Sequence, residues 1–128
     1  AWRMGAAVKQ LFDNGTSVQV GAHGQLYGID THWELDLLVR SGFTPAQALE
    51  AGTIRGAWYH GLDQDLGSLE PGKLADLVVL DANPLTDIAN AQRIRFVMKN
   101  GVLYDGANAA RIWPDPRPAA VPYFAPRP

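Results

Sequence analysis

The chain has no cysteine. That excludes disulfides, thiolate metal ligands and a cysteine nucleophile, and it leaves the compartment open. It has no basic run, and its net charge of −2 is too small to point to nucleic acid or an anionic membrane as a partner. No apolar stretch approaches the length of a membrane span, and AWRMGAAVKQLF lacks the apolar core of a signal peptide. A soluble chain is expected. Ala1 stands where an initiator methionine would, as in a processed or truncated product. The three histidines, His23, His32 and His60, show no H-x-H spacing.

What is present is a globular composition. The 128 residues are 47% hydrophobic and 19% charged, enough for one domain with a real core. The most distinctive stretch is Leu66 to Leu80, LGSLEPGKLADLVVL. Pro71 presets φ for a turn and Gly72 supplies the positive φ that a type II turn needs next. Leu77-Val78-Val79-Leu80 then reads as a short strand between Asp76 and Asp81. Glu70, Lys73 and Asp76 are assigned to turn geometry and solvated strand ends.

Taken in order, Met4 to Asn14 reads as a helix with Val8, Leu11 and Phe12 on one face, stopped by Asn14-Gly15. Ser17 to Val20 alternates as a short strand, followed by Gly21-Ala22-His23-Gly24. Helix, glycine, strand and glycine-bounded polar residue form an α/β grammar, in which ligands sit at strand carboxyl ends. His23 is thus either a site residue or a loop histidine with no ligand role. Asp30 or Thr31 can cap a helix reaching Ser41, and Thr31 and Glu34 have capping-box spacing. His32, in its first turn, faces either a site formed by the preceding loop or the surface.

Thr44-Pro45 opens the next helix as N-cap and N1. Thr53 to His60 adds a turn or two, with Ile54, Ala57 and Trp58 expected inward. Arg93 to Lys99 alternates as a strand, Asn100-Gly101 is a two-residue hairpin signal, and Val102 to Tyr104 returns. Three strands of an antiparallel or mixed sheet are expected. From Trp113 onward, Pro114, Pro116, Pro118, Pro122, Pro126 and Pro128 exclude a helix or a central strand and predict an extended tail.

The series FTPAQALEAGTIRGAWYHGL, LGSLEPGKLADLVVLDANPL and IRFVMKNGVLYDG, within Phe43 to Gly106, resembles the C-terminal part of the amidohydrolase superfamily. The likeness is to its imidazolonepropionase-like and Tol-propeller-associated members, and it extends back to Ser17-Val20. It implies a (β/α)8 barrel with a divalent metal, zinc in the first instance, at the strand carboxyl ends, and a small β-sandwich built from both chain ends. It also implies a hydrolase of amide or cyclic amide C–N bonds, acting on a small-molecule or peptide-like substrate through a metal-activated water.

On that resemblance Ser17-Val20 matches the last barrel strand. The family ends this strand with an aspartate that binds metal and takes a proton from water, and His23 stands in its place. A histidine can bind a divalent metal or act as a base near neutral pH, without the carboxylate charge. His23 is therefore the candidate catalytic and metal residue, and Gln25, Tyr27 and His32 are the candidate substrate contacts. A complete barrel takes about 250 residues, and a hydrolytic metal site takes three or four convergent ligands. This chain offers neither. The expected fold class is α+β, α/β by ancestry: an incomplete barrel segment over 1–65, sandwich strands over 66–106 and a Pro-rich tail over 107–128. The isolated chain is expected to be catalytically silent. It would be a piece of a hydrolase, a helper subunit completing a barrel with a separate N-terminal chain, or a non-enzymatic module that self-associates, with Trp2, Trp33 and Trp58 as core or interface anchors.

Overall fold

The computed structural model describes residues 2–22, 26 and 28–121. Four helices come first: α1 (Trp2–Asp13), α2 (Asp30–Arg40), α3 (Pro45–Ala51) and α4 (Ile54–Tyr59). An antiparallel sheet follows, with strands β1 (Leu77–Leu80), β2 (Ile94–Lys99), β3 (Val102–Asp105) and β4 (Arg111–Trp113) in sequential order. A 3₁₀ helix, Ile88–Gln92, lies between β1 and β2.

The helices form where local chemistry directs them. Thr44 Oγ1 accepts from Gln47 N–H at 3.2 Å while Gln47 Oε1 accepts from Thr44 N–H at 2.9 Å, a reciprocal cap with Pro45 at the first helical position. Gly42 and Gly61, at φ 101° and 69°, take the left-handed conformation just beyond α2 and α4. Phe43 is buried, its ring 4.9 Å from that of Phe12 on α1. The Arg55 guanidinium lies over the Phe12 ring, 4.5 Å from the centroid, a cation–π arrangement.

The sheet obeys its turn signals. Lys73 N–H donates to Glu70 O at 3.2 Å, closing the Pro71-Gly72 turn with Gly72 at φ 95°. Asn100 and Gly101, at φ 48° and 77°, make the β2–β3 hairpin. Leu77, Met98, Leu103 and Trp113 stand in one cross-strand row, so an apolar ridge crosses all four strands. β4 is an edge strand inside the segment expected to be a tail. Its three residues precede Pro114, and only an edge tolerates that neighbour.

α2 and α3 meet the 3₁₀ helix in one small core. Ile88 and Ala91 of the 3₁₀ helix pack with Leu35 of α2 and Ala48 of α3, and Val20, Leu38, Val39 and Leu49 close around them. Two expectations change here. Ser17 to Val20 is not part of a sheet, because a strand needs a neighbour for its ladder and this stretch has none among the described residues. Instead Val20 N–H donates to Ala51 O at 3.1 Å. Trp58, expected inward, is 61% exposed, while Ala57 on the same helix is buried.

The core is small for the chain. The buried apolar residues are Leu35, Phe43, Ala48, Ala51, Ala57, Ile88 and Ala91, and four of these seven are alanines. The chain exposes 9198 Å² in all. A compact protein of 13.9 kDa exposes about 6,700 Å². Among the described residues no helix is long and apolar enough to cross a membrane.

Candidate functional site

The segment that leads to the expected site is held by the two helices beneath it. Val20 is tied to the end of α3 through Ala51, and its side chain joins the core. The next amide is tied to α2: Gly21 N–H donates to Glu34 Oε2 at 2.8 Å. Sequence spacing assigned Glu34 to a capping box with Thr31. The helix starts two residues earlier than that pattern requires, at Asp30, with Ile29 at the N-cap and no side-chain cap. Glu34 is thereby free to reach across thirteen residues to Gly21. No local pattern signals such a contact.

His23, Gln25 and Tyr27 lie outside the described residues. His32 falls in the first turn of α2, half-buried. Its Nδ1 is shielded from solvent and has no hydrogen-bond partner among the described residues. His32 is thus partly packed rather than fully exposed. His60 ends α4, exposed, with its ring edge-on to Tyr59 at 5.2 Å. Among the described residues no three His, Asp or Glu side chains converge as metal ligands.

The motif residues of LGSLEPGKLAD take other work. Lys73 was expected at a solvated strand end, yet its side chain is only 11% exposed. Its Nζ donates to Asp63 O and to Ser68 Oγ, each at 2.6 Å, and stands 3.4 Å from Glu70 Oε1. Ser68 Oγ also donates to Glu70 Oε1 at 2.5 Å. The Ser68 hydrogen bond, and then Lys73, hold the Glu70 carboxyl below its usual pKa. The cluster ties the loop after α4 to the turn before β1. Asp76 accepts from Lys99 Nζ and Asn100 N–H, which lowers its pKa, and so joins the start of β1 to the β2–β3 hairpin. These are folding contacts, in agreement with the assignment of Glu70 and Asp76 to turn geometry and strand ends.

An open cleft of about 380 Å³ is lined by Gly15, Ser17, Ile54, Arg55, Trp58 and Asp63. Gly15 and Ser17 lie at the start of the Ser17–Val20 segment, whereas Gly21, bonded to Glu34, follows its end. Among the described residues its lining includes neither Gly21 nor His32.

The sequence profile of the amidohydrolase family matches residues 5–104. The chain belongs to the amidohydrolase family. It is 34% identical over 89 residues to a 5'-deoxyadenosine deaminase of Methanobrevibacter smithii, covering 61% of this chain and 20% of that protein. To an imidazolonepropionase of Deinococcus radiodurans it is 38% identical over 85 residues, covering 63% of this chain and 21% of that protein. Its fold is similar to the crystal structure of a putative prolidase from Bifidobacterium longum, with a TM-score of 0.70 and 37% identity over 91% of this chain and 27% of that one. The chain thus spans about a fifth to a quarter of these relatives.

Proposed function

We propose that this chain is the C-terminal barrel-and-sandwich segment of a metal-dependent hydrolase of amide or cyclic amide C–N bonds. The observation that carries the reading is the family match over residues 5–104 combined with a coverage of 20–27% of the relatives above. In that reading residues 1–65 belong to the barrel, 66–106 to the sandwich and 107–128 to a tail. In that reading His23 is the candidate catalytic and metal residue, and Gln25, Tyr27 and His32 are the candidate substrate contacts. The remaining metal ligands, for zinc in the first instance, come from further polypeptide, because the described residues of this chain do not assemble a ligand set. No chemical step is assigned to this chain alone.

The exposed apolar surface supports the same view. Met4, Trp33, Leu37, Trp58 and Val78 are all at least 47% exposed, on both the helical and the sheet parts. Patches of this kind usually become interfaces. The complement is either a chain carrying the rest of the barrel or a second copy, and the latter would make this a non-enzymatic, self-associating module.

The test measures metal content and C–N hydrolase turnover of the purified chain, alone and co-expressed with the polypeptide encoded upstream of it. Metal and chelator-sensitive turnover are expected in the pair and absent from the chain alone. Stoichiometric metal with turnover by the 128 residues alone would overturn the segment reading. A metal-free, inactive oligomer in both preparations would favour the module.

A further inference from the structure

We propose that Asn14 is a self-modifying residue, a site of spontaneous deamidation that releases the end of α1. The chain holds two Asn-Gly pairs, Asn14-Gly15 and Asn100-Gly101. In such a pair the glycine carries no Cβ to screen its nitrogen from the asparagine side chain. At the first pair, the Gly15 nitrogen gives its proton to solvent hydroxide and attacks Asn14 Cγ. An N–Cγ bond forms, the Cγ–Nδ2 bond breaks, and Nδ2 leaves as ammonia with a proton taken from water. Water then opens the cyclic imide, at Cγ to give aspartate or at the main-chain carbonyl to give isoaspartate. One water is consumed for each ammonia released, and nothing is oxidised or reduced.

The two pairs differ in what holds them. Asn100 sits at φ 48° in the β2–β3 hairpin. Its N–H donates to Asp76 Oδ1 at 2.5 Å, and the reacting nitrogen, that of Gly101, donates to Ala75 O at 3.1 Å. Both acceptors immediately precede β1, so the imide closes only when the hairpin leaves the entry of that strand. Asn14 instead follows the end of a helix. Gly15 N–H donates to Phe12 O and Thr16 N–H to Leu11 O, each at 3.0 Å, so the bonds that hold this pair lie within the last turn of α1. Helix ends fray at far less cost than a sheet opens. Asn14 is exposed, and among the described residues no hydrogen bond holds its carboxamide. A Cβ on Gly15 would meet nothing within 4 Å, and Gly15 lines the open cleft beside Ser17.

The product undoes the turn that made it. Aspartate and isoaspartate both place a carboxylate at the carboxyl end of α1, where the helix dipole is already negative. The new charge also stands next to Asp13, the partner of Lys9. Isoaspartate further lengthens the main chain by one carbon within the turn that the Gly15 and Thr16 bonds close. The anchor ahead of the Ser17–Val20 segment is thereby loosened.

The test incubates the full chain at mildly alkaline pH, folded and in urea, and follows both pairs by mass spectrometry after trypsin. Lys9 and Arg40 bracket a peptide whose single asparagine is Asn14, and Lys99 and Arg111 bracket one that holds Asn100. In the folded chain Asn14 should convert at least about 10-fold faster than Asn100, the factor carried by the bond to the Asp76 carboxylate. In urea the two rates should come together. Asp76→Ala should raise the Asn100 rate and leave that of Asn14 unchanged. The deamidated chain, separated by its added charge, should exchange its Gly15 and Thr16 amides faster than the parent. Conversion of Asn14 no faster than that of Asn100, or in urea alone, would overturn the proposal. So would an Asn100 rate unmoved by Asp76→Ala. Unchanged exchange at Gly15 and Thr16 would overturn the release of α1.

Discussion

Gly67 lies against Ala57. A Cβ on Gly67 would stand 2.8 Å from the Ala57 Cβ and 2.9 Å from the Ile54 Cα, and the residue sits at φ 94°. The most recognisable stretch of the sequence thus begins where the chain passes over α4 at a distance only glycine permits. Gly67→Ala meets two penalties at once: a left-handed conformation and overlap with helix backbone. Together they should destabilise by about 2–4 kcal/mol. Gly72 provides the control, since it has φ 95° but nothing within 4 Å of a Cβ. Gly72→Ala should lose about 1–2 kcal/mol from backbone strain alone. Urea unfolding of both variants separates the terms, and equal midpoints would remove the packing argument.

Asp76 makes stability depend on pH. Lys99 and the Asn100 N–H lower its pKa in the folded chain. A depressed carboxyl pKa contributes stability above the unfolded value of about 3.9. That contribution is lost as pH falls below this value and through the folded pKa. Asp76→Asn should therefore melt below the parent near neutral pH, and the gap should close in strong acid. Added salt should narrow the neutral-pH gap, because the Lys99 side chain is solvent-exposed. Melting curves across that range check this, and a gap unchanged in acid would refute it.

The reciprocal cap at Thr44 should be worth a measurable amount. Thr44→Ala removes the oxygen that accepts from Gln47 N–H and keeps only the return bond, from the residue 44 N–H to Gln47 Oε1. The expected loss is about 1–2 kcal/mol. Thr44→Ser, which keeps the hydroxyl, should recover most of it in the same denaturation experiment.

What was legible in the sequence is what depends on near neighbours. Thr44-Pro45, Pro71-Gly72 and Asn100-Gly101 each encode their turn or cap within four residues, and each forms as read. The alternation of Ser17 to Val20 is a true local pattern, but a strand is completed by another strand and none is present among the described residues. Trp58 follows the helical period of Ile54 and Ala57, yet it faces solvent because no described element covers that side. β4 escaped notice because three residues ahead of a proline run carry too little pattern. At the candidate site, the Glu34–Gly21 bond joins residues thirteen positions apart and has no local signature. His32 was placed in the correct helical turn, but its shielded Nδ1 depends on packing that periodicity does not encode.

The apolar surface of α2 gives the last test. Trp33 and Leu37 are one helical turn apart and are 53% and 47% exposed. Leu37 also lines a cleft of about 270 Å³ with Met4, Gly5, Val8, Leu38 and Ser41, so the exposed stripe runs from α2 onto α1. The two helices approach closely at one end, where a Cβ on Gly5 would stand 2.7 Å from the Ser41 Cβ. On the reading that this surface meets further protein, the isolated chain should self-associate at micromolar concentration, since its own copies are the only apolar partner available. Trp33→Glu with Leu37→Glu should shift it toward monomer in sedimentation velocity. Neither side chain is buried, so the folding midpoint of the double variant should stay within about 0.5 kcal/mol of the parent for each change. A parent chain that sediments as a monomer would show that this face is tolerated in water and would remove α2 from the proposed interface.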